Sequence, residues 1–186
     1  MPETIQLEQH GMVAISRASL AALRTALLRD AGPSGVAYLQ EAGYAGGEAL
    51  LASFGSWLAA NGLGTVDDLD TEHFRAHAVD YFRETGWGTL HVAQLAPAIV
   101  TLDAEDWAES DPHAALPHPG CYLSAGMFAD FFSRVADAPL TVMEVECRSM
   151  GHPQCRWLLG NPDALQAVYG AMTQGVAYAE AAGRLS

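Results

Sequence analysis

Three cysteines, Cys121, Cys147 and Cys155, lie in one stretch, CYLSAGMFADFFSRVADAPLTVMEVECRSMGHPQC, and are the only cysteines in the 186-residue chain. Glu144 stands three residues before the middle one. Three thiolates and a carboxylate suffice to close a tetrahedral zinc site with no position left for water, which makes the metal structural rather than catalytic. Cys121 is expected to open an amphipathic helix. Glu144, Cys147 and Cys155 are expected on a following hairpin, turned at Ser149-Met150-Gly151-His152-Pro153-Gln154. A metal there pins the helix start to the hairpin, and Arg148 and Arg156 beside the ligands would offset part of their negative charge. Cys121 and Cys147 are 26 positions apart, which is not a standard finger spacing. Three unconnected cysteines serving as small buried apolar residues are therefore the alternative. His113, His118 and Glu146 are further candidates for the fourth ligand.

The stretch resembles the vinyl reductase domain family, which includes the sensory domains of phenol- and toluene-responsive bacterial transcriptional activators. That family has a Cys followed by an aromatic, a Gly-aromatic pair, E-x-x-C, a Gly-containing turn and a last Cys. Here the elements are Cys121-Tyr122, Gly126-Met127 (Met in place of the aromatic, with Phe128 next), Glu144-Val145-Glu146-Cys147, Gly151 and Cys155. The resemblance implies zinc at Cys121, Glu144, Cys147 and Cys155. It also implies a phenol hydroxyl held by a Leu-His pair in the central strand and by the Trp of a W-x-x-S segment. Leu90-His91 and Trp107-Ala108-Glu109-Ser110 match those patterns, with a shorter link between them. Imidazole and indole N–H groups are suitable donors in an apolar cavity. A structural strand histidine and a tryptophan covering an edge are the plain alternatives. Phe131, Phe82, Trp87, Tyr122 and Val142 are candidate apolar wall, and ordinary core explains them equally well.

The elements that must position these residues follow from periodicity. Helices are expected over 16–29, 36–60 and 66–84, the second interrupted by Gly43-Tyr44-Ala45-Gly46-Gly47, where a kink or a close helix contact is expected. Strands are expected over 88–94 and 98–102, then a polar loop or lid over 103–119. The helix from Cys121 follows, then strands over 140–148 and 156–159. A last helix opens at Asn161-Pro162 and runs to about 182. This is an α+β fold: one domain over 1–186, an N-terminal helical region, and helices packed on one side of an antiparallel sheet.

Composition narrows the function. The formal charge of −13 opposes nucleic acid, whose binding depends on cations neutralising phosphates, and opposes anionic membrane surfaces. No apolar run reaches the roughly 20 residues of a membrane helix. The start, MPETIQLEQHGMV, lacks the pattern of a signal peptide. An odd number of cysteines then suggests a reducing, cytoplasmic setting. No G-x-S-x-G elbow or nucleotide or flavin motif is present, so a binding role is expected before an enzymatic one. The expectation is a stand-alone zinc-stabilised sensor or carrier for a small hydrophobic or aromatic ligand, passing its signal to a downstream protein. The resemblance further implies a homodimer, for which Leu20, Leu23, Leu27 and the uncovered face of the second helix are available. It also offers two alternatives: an accessory or carrier role in tetrapyrrole (bacteriochlorophyll) vinyl reduction, and a protein–protein adaptor.

Overall fold

The computed structural model describes residues 7–185; the first six residues of the expected N-terminal arm lie outside them. Helix α1 (Arg17–Ala31) starts where the Ser16 side chain accepts the Ser19 backbone N–H at 3.0 Å, satisfying one of the free donors of the first turn. Gly32, with φ of 52°, turns the chain directly into α2 (Pro33–Ala45), which has Pro in its first turn. The segment expected as one interrupted helix is two: α2 ends at Gly46 and α3 (Gly47–Ala60) begins. Helix α4 (Thr71–Glu84) starts later than its periodicity suggests. A short 3-10 turn occupies Val66–Asp68, and Asp70 caps α4 by accepting the His73 N–H at 2.9 Å.

The sheet has four antiparallel strands in the order β1-β2-β4-β3: β1 (His91–Ala96), β2 (Ile99–Ala104), β3 (Thr141–Glu146) and β4 (Cys155–Gly160). Between β2 and β3 runs α5 (Tyr122–Ala136), amphipathic as expected, with Met127, Phe128, Phe131 and Phe132 buried. Helices α3, α4 and α5 cover one sheet face, where Trp157 and Leu159 of β4 and Leu102 of β2 join their aromatic side chains. The expected last helix is also two, α6 (Pro162–Met172) and α7 (Tyr178–Gly183), separated at Gly175 with its φ of 85°. This C-terminal pair covers the other face, burying Leu158 of β4 with Leu165 and Val168. Central strand β4 is thus covered on both sides, which is why its Trp157-Leu158-Leu159 run does not alternate.

Helices α2 and α5 meet backbone to backbone. A Cβ on Gly43 would run into the Leu123 carbonyl, and one on Gly126 into the Gln40 carbonyl. The expected close helix contact is therefore present, with α5 as partner. This contact fixes the start of α5, and with it Cys121, against the N-terminal helices.

Candidate functional site

Cys121 is the N-cap of α5 and is fully buried. Glu144 lies on β3 opposite Trp157, and a bulge between Glu144 and Glu146 sends these two carboxylates to different partners. Cys147 follows β3 directly. A 3-10 turn at Arg148–Met150 and Gly151, whose φ is 92°, return the chain to Cys155 at the start of β4. The expected hairpin is thus formed, and it converges on the helix start.

The Cys121 Sγ lies 3.9 Å from that of Cys147 and 3.8 Å from that of Cys155. These distances exclude disulfides, and all three thiols are free and buried. A zinc–sulfur bond of about 2.3 Å puts tetrahedral sulfur neighbours about 3.8 Å apart, so the spacing is that of ligands around one ion. The four ligand atoms, including a Glu144 carboxylate oxygen, lie within 4.8 Å of one another. Glu144 Oε2 accepts the Cys121 backbone N–H at 2.8 Å, while Oε1 is buried without a hydrogen-bond partner. A buried carboxylate oxygen left unpaired is costly unless a cation completes it. The cluster can therefore coordinate a metal.

Its electrostatics agree. Burial pushes the Cys121 thiol well up and raises the Glu144 carboxyl to about 9, the second also repelled by Cys147. Hydrogen bonding from the Cys121 thiol holds Cys147 well below the usual thiol range. Four acidic groups crowded together this way want a dication. The expected help from Arg156 is not given, because its guanidinium makes a fork to Asp103 at 2.7 Å and also reaches Glu146 and Tyr178. Arg148 points to the Ser110 hydroxyl. Backbone donors serve the sulfurs instead, with the Arg148 N–H 3.5 Å from the Cys155 Sγ. The alternative fourth ligands are engaged elsewhere. Glu146 accepts from Tyr178 and Gln154, and His118 is exposed and hydrogen-bonded to Tyr122. Neither His113 nor His118 joins the cluster.

Behind this cluster lies an aromatic core. Trp107 is 1 % exposed and stacks on Trp87 at 5.6 Å, with Phe82, Phe128 and Trp157 edging it at 5.1–5.9 Å. Phe131 closes the far side against Phe82 and Phe54. Of the residues proposed as wall, Phe82, Trp87, Trp107, Phe131 and Val142 come together here. His91 does not: Leu90 is buried, whereas His91 is exposed on β1 across from Asp103. Tyr122 sits beside His118 at the helix start, outside this core. The segment expected as a lid is instead partly a plug, since Trp107 and Glu109 enter the interior from it.

Glu109 is a residue the sequence did not mark. It is 2 % exposed and takes the Leu123 and Ser124 N–H groups onto its carboxylate, capping α5 from a distant loop. Ser124 donates its hydroxyl to the same carboxylate and accepts the Trp107 indole N–H at 2.7 Å. Buried Arg24 of α1 donates to the Glu109 carbonyl, tying the N-terminal helix to the loop. Burial raises the Glu109 carboxyl above the usual range. Outside the core, an apolar groove of about 290 Å³ opens between α2, α5 and β3, with Tyr44, Ala125, Ala129 and Val142 among its walls. None of the described helices is long and apolar enough to cross a membrane.

Residues 105–161 match the family model of the vinyl-4-reductase (V-4-R) domain, the segment that holds all four clustered ligands. An uncharacterized protein of Methanocaldococcus jannaschii is 27% identical over 75 residues, 40% of this chain and 40% of that protein. Among solved structures, the phenol-responsive sensory domain of the transcription activator PoxR, with phenol, superposes with a TM-score of 0.63 at 19% identity. The superposition covers 81% of this chain and 76% of that one. A trafficking protein particle complex subunit 3 from Naegleria fowleri, covalently bound to palmitic acid, gives 0.62 at 15% identity, covering 77% and 91%. The expected vinyl-reductase-type domain is thus present, and at these identities the superpositions speak for the fold.

Proposed function

We propose that the chain is a zinc-stabilised ligand-binding domain, a sensor or carrier whose aromatic interior takes a small hydrophobic or aromatic guest. Zinc would be held by Cys121, Glu144, Cys147 and Cys155, and with all four positions filled by protein it does no chemistry on the guest. Its binding energy goes into the fold. Phe82, Trp87, Trp107, Phe131 and Val142 form the wall. The observation that carries this reading is the placement of Glu144 opposite Trp157 in the β3–β4 pairing. The hairpin that gathers the ligands therefore also presents an aromatic face to the core. Three free thiols suit a reducing compartment such as the cytoplasm. Exposed Leu23 and Tyr38 on α1 and α2 supply apolar contact for a homodimer. With no further domain among these residues, the bound state is passed to a separate protein.

A carrier or accessory role in tetrapyrrole vinyl reduction is the second reading, favoured by the family match over residues 105–161. Both readings need the same metal-clamped interior, and absorbance separates them: a bound tetrapyrrole has a visible band and a small aromatic does not. Native mass spectrometry of the purified protein tests the proposal. One zinc per chain together with affinity for phenols or alkylbenzenes is the expected result. A metal-free chain that takes up no member of such a panel contradicts it.

A further inference from the structure

The chain has four tryptophans. Two of the buried ones satisfy their indole N–H: Trp57 donates to Glu84 at 2.9 Å and Trp107 to Ser124 at 2.7 Å. Trp157 does not. It is 0% exposed, and its Nε1 has no hydrogen-bond partner among the described residues. It stands edge-on to Trp107 at 5.5 Å and to Phe128 at 5.3 Å, so an aromatic surface surrounds a single unused donor. Buried polar groups are nearly always paired, and one that is not calls for an explanation. Indole is a donor only, so its partner must be an acceptor.

We infer that Trp157 is the specificity-determining residue of the interior, donating its indole N–H to an acceptor oxygen on an otherwise apolar aromatic guest. This rests on the ligand-binding reading and adds the chemical class: an aryl ketone, ether or phenol, and not a plain hydrocarbon. Access is from the groove between α2, α5 and β3. Ala125 and Val142 belong both to its wall and to the cluster that contains Trp157. A guest entering there passes between the edge strand and α5 and meets the donor at the far side.

The test compares acetophenone with cumene, which has nearly the same shape and no acceptor, titrated into wild-type protein and Trp157→Phe. The change in the ratio of the two Kd values between proteins cancels each compound's own hydration. The expected result is a preference for acetophenone that falls about tenfold in Trp157→Phe. If both compounds bind and the ratio is unchanged, the Trp157 assignment is overturned while the ligand-binding reading stands. If neither binds wild-type protein, both fall together. Should Trp157→Phe fail to fold, the indole 15N spectrum of wild-type protein decides the matter. Acetophenone is expected to move one indole proton downfield and cumene none; no indole proton moving with bound acetophenone overturns the assignment.

Discussion

Glu144 Oε2 is 2.8 Å from the Cys121 backbone nitrogen, so one oxygen of this carboxylate holds the start of α5 while the other faces the sulfurs unpaired. The side chain is both a helix anchor and a ligand. Its two roles separate by mutation. Glu144→Gln keeps an oxygen for the Cys121 N–H and loses the anionic ligand. It is expected to fold while holding zinc at least tenfold more weakly, as measured by competition with a chromophoric chelator.

Cys155→Ser, or exhaustive chelation of the wild type, removes the clamp between helix and hairpin. Loss of several kcal/mol of metal-linked stability corresponds to a fall in Tm of about 10 °C or more for a chain this size. Differential scanning calorimetry reads this directly. Because the thiols and the Glu144 carboxyl must lose protons to bind, metal loading is expected to release protons, and affinity to fall as pH is lowered.

Glu109 gives a prediction with a definite sign. Its raised pKa means that the folded state holds a proton which the unfolded state releases. Stability should therefore fall as pH rises from the ordinary carboxylate range through the raised folded value. Glu109→Gln still accepts from the Leu123 and Ser124 N–H groups but cannot ionise. It should gain on the wild type as pH rises through that window and match it below. Glu109→Ala leaves both donors unpaired and should cost about 2 kcal/mol. Denaturation by urea across pH measures all three.

The α2–α5 contact tolerates no side chain at its glycines. Gly126→Ala forces the two backbones apart and is expected to cost about 2 kcal/mol or more, lowering Tm by about 5 °C. Gly170, which has open space around it, is the control: its change to Ala should be neutral or stabilising.

His91→Ala is expected to leave ligand affinity within about twofold of wild type, because the ring is exposed on β1. Trp107→Ala should abolish binding, through lost packing and the orphaned Ser124 hydroxyl. Calorimetric titration of both variants checks the contrast.

The metal ligands were legible in the sequence because their order along the chain is nearly their arrangement in space: a helix start, then one hairpin. The α+β class was legible from the change of period after Gly88. His91 was harder, because neighbouring strand residues face opposite ways and burial of Leu90 sends His91 outward. Glu109 left no local signal, since the helix it caps begins in sequence well after it and the pairing exists only once the loop folds inward. Trp157 was hidden for a different reason: in a strand covered on both faces every position is apolar, so nothing in the pattern marks a donor. The splits at Gly46 and Gly175 follow from backbone geometry that helical periodicity does not register.

X-ray absorption at the zinc edge of the protein as purified bears most directly on the clamp. The expected result is one zinc per chain with three sulfurs at about 2.3 Å and one oxygen at about 2.0–2.2 Å. A first shell dominated by nitrogen and oxygen, or a folded protein without stoichiometric metal, would contradict it.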